Sequence, residues 1–247
     1  MLIQGKDERT LKANLMLASS TALVAGIVNV AGVIAFLAFT TNITGHVALL
    51  ARKVSAQDVG EIITVGVWLL MFFMGAFVSH FLVRSFDRES TYKAHALPIL
   101  TEMVILLLVA IYGNHFFDGN DLEREIIIGA ILFSMGLQNS LVSTISGGLI
   151  KSSHLTGLFT DVGADVAEWI HPHTAKTELV RNRLYVRFTV LGFYFIGAVA
   201  GGFFFELYNF KVFYFIPIIL LTILYYDIRG VVFNKLRRKF AAGTDTK

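Results

Sequence analysis

Residues 62–83 read IITVGVWLLMFFMGAFVSHFLV, a run without one Asp, Glu, Lys or Arg. A helix rises 1.5 Å per residue, so about 20 such residues cover the ~30 Å of a bilayer's hydrocarbon. In lipid a backbone must satisfy its own N–H and C=O groups, and at this length only a helix does so. Working outward, comparable apolar runs lie at 15–39, 97–112, 126–150, 185–207 and 212–226, which predicts an all-α, polytopic bundle of about six transmembrane helices.

Composition agrees. Apolar residues make up 55% of the 247-residue chain and charged residues 16%, against about 25% charged in soluble domains. Mean hydropathy is +0.66. The expectation is a single transmembrane domain over 1–247, with the lipid bilayer as its first partner. There is no Cys, which excludes disulfides and thiolate chemistry. The opening MLIQGKDERTLKAN is polar and lacks a cleavage site, so the first apolar run reads as a retained span.

Lys and Arg orient the bundle. Lys6, Arg9 and Lys12 precede the first run; Arg84, Arg88 and Lys93 follow the second; Lys151, Lys176, Arg181 and Arg183 follow the fourth; Arg229, Lys235, Arg237, Arg238 and Lys239 follow the last. The other side has only Arg52, Lys53, Arg124 and Lys211. Both termini are therefore expected in the cytoplasm.

The two halves also repeat one another. Gly26-Ile-Val-Asn29 followed by Asn42-Ile-Thr-Gly45 is answered by Gly136-Leu-Gln-Asn139 followed by His154-Leu-Thr-Gly157. The Asn-to-Gly intervals are 45 − 29 = 16 and 157 − 139 = 18. Phe73-Met-Gly75-Ala76 is answered by Phe195-Ile-Gly197-Ala198, and a lone proline, Pro98 or Pro217, is expected to open each third helix. Three spans per repeat (about 14–113 and 123–228) means insertion with opposite topology, the inverted-repeat architecture of many transporters. Each polar break leads into a short helical segment, expected at 47–53 and 158–170. The N-terminus of such a helix offers free N–H groups to a small polar or anionic solute, unless the break is only a capped turn.

The Asn-Ile-Thr-Gly segment and the run Ser153-His-Leu-Thr-Gly-Leu-Phe-Thr-Asp-Val-Gly163 resemble signatures of the YoaK-type bacterial membrane proteins, a domain of unknown function. The resemblance covers about 14–230. It implies an inner-membrane protein of about six helices and no established substrate or reaction.

The candidate solute-binding residues are Asn29, Asn42, Thr44, Gly45, Asn139, His154, Thr156 and Gly157; interhelical hydrogen bonding is the competing use of the asparagines. For proton or ion coupling the candidates are Glu102, inside the third span, and Asp161 and Asp165, one helical turn apart. Against these stand an interfacial Glu102 and an Asp161 that only complements a helix dipole. His171-Pro-His173 lacks a well-spaced carboxylate, and no metal or other cofactor is expected. The Gly197-Ala-Val-Ala-Gly201 stripe predicts close helix contact, within the chain or in a homodimer. P-loop, HExxH and GxSxG motifs are missing, so enzyme chemistry and nucleic-acid binding are not expected. The reading is a small-solute transporter or channel; the alternative is a non-transporting scaffold or a substrate-binding accessory subunit that needs a partner.

Overall fold

A computed structural model describes residues 9–86, 90–172 and 177–226. Among these there is no strand, and seven α-helices lie before residue 209: α1 (Leu11–Phe36), α2 (Ile43–Ser55), α3 (Val59–Phe86), α4 (Thr91–His115), α5 (Asp121–Ser146), α6 (Leu155–Ile170) and α7 (Glu178–Tyr208). Five stretches are long and apolar enough to cross a membrane: α1, α3, α4, α5 and the 49-residue run Glu178–Tyr226. That last run is not straight. Asn209, at φ 50° and ψ −136°, ends α7, a 3-10 turn follows over Asn209–Tyr214, and helix resumes at 215.

Two expectations change. Pro98 lies inside α4 rather than at its start, because Ser90 caps the helix earlier, its hydroxyl accepting from Lys93 N at 3.4 Å. The short helices also begin before 47 and 158. Asn42 caps α2 by accepting from Gly45 N at 3.2 Å, and α6 starts from the His154 carbonyl, which accepts from Leu158 N at 3.1 Å, so Thr44-Gly45 and Thr156-Gly157 form first turns, not unwound breaks. In α2 a side-chain oxygen satisfies one of the four orphan N–H groups and lets the helix start at the cap.

Packing is dominated by two crossings, α1 with α7 and α3 with α5. A Cβ added at Gly26, Gly197, Gly136 or Gly75 would come within 3.0 Å of a carbonyl oxygen on the facing helix, namely Tyr194, Leu23, Phe72 or Phe133. Without a hydrophobic force between helices in lipid, such bare backbone surfaces give the close van der Waals contact that holds a bundle together. The Gly197–Gly201 stripe is therefore used inside the chain, where Gly201 meets Ile27. Contacts climb together along both members of each pair: Gly197 to Leu23 and Gly201 to Ile27 in one, Trp68 to Glu125 and Gly75 to Phe133 in the other. Each pair is thus parallel. α4 packs antiparallel on α5, to which only residues 116–120 join it.

At one end of the bundle the rings of Phe36, Phe117 and Phe210 meet at centroid distances of 5.3–6.0 Å. Gly113 makes room for Phe210 there.

Candidate functional site

α1 does not simply end. Leu37 turns left-handed (φ 55°, ψ 27°), and the chain doubles back along the helix it has just left. Thr40 Oγ1 donates to Val28 O at 3.1 Å, and Thr41 N donates to Asn29 Oδ1 at 3.2 Å. Val28 precedes Phe36 by 36 − 28 = 8 residues, or about 12 Å of helix. α2 therefore begins well below the tip of α1. Gly32 permits this approach, because a Cβ there would strike the methyl of Thr40.

The second half repeats the manoeuvre. Gly147 closes α5 left-handed (φ 62°, ψ 33°), and Ser152 and Ser153 donate to Asn139 Oδ1 at 3.0 and 2.8 Å. Gln138 Nε2 donates across the bundle to Thr21 O at 2.9 Å. Asn29 and Asn139 thus satisfy polar groups that the returning chain would otherwise leave bare.

Each short helix is tied to the helix that follows it. Lys53 of α2 pairs with Glu61 of α3 at 3.1 Å; Asp165 of α6 pairs with Arg183 of α7 at 2.9 Å. Measured from the matched glycines the positions coincide: 53 − 45 = 8 and 165 − 157 = 8; 75 − 61 = 14 and 197 − 183 = 14. The pair is kept and its signs are exchanged. The second half adds Arg187, which reaches both Asp165 and Asp161, and Lys151, whose ammonium lies 2.6 Å from Asp161. The Lys151 hydrogen bond and the nearby Arg187 charge hold the Asp161 carboxyl below the usual range.

Both breaks open on one cavity of about 630 Å³, within the usual range for small-molecule sites. Of the eight residues read as solute-binding, Asn29, Asn42, Thr44, Asn139, His154 and Thr156 line it, while Gly45 and Gly157 sit one step behind in the first turns of α2 and α6. Among the coupling candidates, Asp161 and Asp165 face bases, as above. Glu102 lies elsewhere, 1% exposed within α4, with Oε1 lacking any hydrogen-bond partner. His173 falls outside the described residues.

Several lining residues were not singled out from sequence: Phe39, Phe72, Lys151 and Tyr194. Tyr194 lies 3.5 Å from the Thr41 hydroxyl and shares the lining with Asn29. Its signal was its position, three residues before the matched Gly197 and so on the crossing itself. Lys151 registered only as a positive charge, although it borders the second break.

Among the described residues no carboxylate lines this cavity, and the chain has no cysteine. Its groups are amides, hydroxyls, one imidazole, one ammonium and aromatic rings, a set that can hold a polar solute through hydrogen bonds. No curated protein and no solved structure matches the chain. Residues 17–226 match the family described as Protein of unknown function (DUF1275). The chain, a multi-helix protein with membrane-crossing segments, belongs to that family.

Proposed function

We propose that this protein is a small-solute transporter or channel of a bacterial inner membrane. It is built from two three-helix repeats of opposite topology, crosses six times and keeps both termini in the cytoplasm. The observation that carries the reading is the shared cavity: two breaks, 112 residues apart at Asn42 and His154 (154 − 42 = 112), line one polar hollow between the paired helices. Transporters with inverted repeats bind at such a repeat interface, where broken helices present their ends.

Support for opposite topology comes from the crossings. The first long helix of each half packs parallel to the second long helix of the other, through equivalent glycines. The interruption at Asn209 supports two crossings in the 49-residue run, which would measure about 74 Å unbroken, over twice the bilayer core. Glu102 is the proton-coupling group of this reading.

The test is flux from proteoliposomes loaded with a panel of small polar and anionic solutes. Wild-type protein is expected to pass at least one of them, and Thr44→Val and Thr156→Val to slow it about tenfold each, the rate equivalent of one hydrogen bond of about 1.4 kcal/mol. Unchanged flux in both variants removes the breaks from the mechanism.

A further inference from the structure

We propose that the cavity takes a small monocarboxylate with an aromatic or apolar body, its carboxylate on Lys151 and its body toward Phe39. The inference rests on the reading of the cavity as a solute site and names what that site selects.

Two of the residues that match between the halves are occupied in holding the fold, and the matched Thr44 and Thr156 offer the solute the same hydroxyl on both sides. Asn29 and Asn139 pin the returning chains, with Thr41 and Ser153 as their partners. Selectivity therefore falls to the positions that differ. Counted back from Asn42 and His154, Phe39 in the first break stands where Lys151 stands in the second (42 − 39 = 3 and 154 − 151 = 3). Counted back from Gly75 and Gly197, Phe72 stands where Tyr194 stands. All line the same hollow. One break thus supplies an ammonium and an imidazole, and the other a half-exposed phenyl ring and an amide. Among the described residues the lining carries an ammonium and no carboxylate, since Asp161, which pairs with Lys151, is not part of it; an anion with an apolar body meets a complement at both ends.

Lys151 already shows what it binds. Its Nζ holds the Asp161 carboxylate at 2.6 Å, beside the first turn of α6, where a Cβ on Gly157 would lie 3.5 Å from it. No side chain caps that turn, so its N–H groups face the same place. Asp161 has a second base, Arg187 Nη2 at 3.6 Å. A solute carboxylate can therefore take the ammonium from Asp161 without stranding Asp161, an exchange of like for like.

Binding to the purified full-length protein tests this, by calorimetry with benzoate, benzyl alcohol, benzylamine and acetate as probes. Benzoate is expected to bind most tightly. Lys151→Met should weaken benzoate about tenfold or more while leaving benzyl alcohol unchanged, the loss of one charge-assisted hydrogen bond. Asp161→Asn, which frees Lys151, should tighten benzoate several-fold, and this arm stands even if Lys151→Met fails to fold. Benzoate binding no tighter than benzyl alcohol, or insensitive to Asp161→Asn, overturns the proposal. If other solutes still cross proteoliposomes, the transport reading survives that result. If benzoate binds as expected but nothing crosses, transport falls and the carboxylate site remains.

Discussion

Leu37 and Gly147 occupy the same position in the two halves and adopt the same left-handed turn, at φ 55°, ψ 27° and φ 62°, ψ 33°. Each follows its matched asparagine by eight residues (37 − 29 = 8; 147 − 139 = 8). Both end a long helix and send the chain back beside it. Glycine adopts this conformation without a Cβ clash, whereas leucine pays for it with strain.

Leu37 is 91% exposed, so its side chain contributes little packing to offset that strain. Leu37→Gly is expected to stabilise the detergent-solubilised protein by about 1 kcal/mol, and Gly147→Leu to destabilise it by a similar amount. Thermal melts of the two variants check both signs. A destabilised Leu37→Gly would show that the exposed leucine is used after all.

The four crossing glycines predict a harsher outcome. Gly26→Val or Gly136→Val pushes a side chain into the backbone of α7 or α3, and neither helix can shift without losing its whole crossing. A loss of about 3 kcal/mol or more is expected, enough to prevent recovery of a monodisperse protein. Gly192→Val and Gly163→Val serve as controls, since a Cβ at either meets nothing within 4 Å. Size-exclusion profiles after extraction distinguish the two groups.

The sign-exchanged ion pairs predict unequal costs. Glu61 is half exposed, so Glu61→Gln should cost below about 1 kcal/mol. The side chain of Asp165 is only 5% exposed and faces two arginines, so Asp165→Asn should cost about 3 kcal/mol, because charges remain behind without their partner. Exchanging the second pair to Asp165→Lys with Arg183→Glu recreates the first half's arrangement but leaves Arg187 facing a cation. It should recover little. Chemical denaturation of each variant measures the differences.

Glu102 is the fourth test. Glu102→Gln keeps the shape of a side chain whose Oε1 has no partner and removes its titration. Solute flux driven by a proton gradient should fall to the rate seen without one, while binding to the cavity is unchanged. Flux that still follows the gradient would leave Glu102 a structural residue.

The long helices were legible because lipid imposes a single demand on them, an unbroken apolar run. Residues 62–83 fall within α3, and 126–150 overlaps all but the first residues of α5 and passes its end. The overshoot has a physical cause: hydropathy cannot tell Leu149 and Ile150, which lie in the returning loop, from helical residues. The starts of α2 and α6 were read too late for the opposite reason, since polar residues that look like a break are caps and first turns. The cavity's polar pairs were legible as repeats. Tyr194 and Phe72 were not, because a ring inside an apolar run gives no hint of which neighbour it faces; that is decided by the glycine crossings, contacts between segments far apart in the chain (194 − 26 = 168 and 136 − 72 = 64).

Those crossings also govern how the chain must be born. α1 leaves the ribosome first, yet its close partner is α7; α3 waits for α5, and the Trp68 indole waits for Glu125, 2.6 Å away in the finished protein. The two main crossings can therefore form only when α5 and α7 arrive. Neither half contains either of the main crossings. The protein is two strands of a clasp, and the clasp closes last.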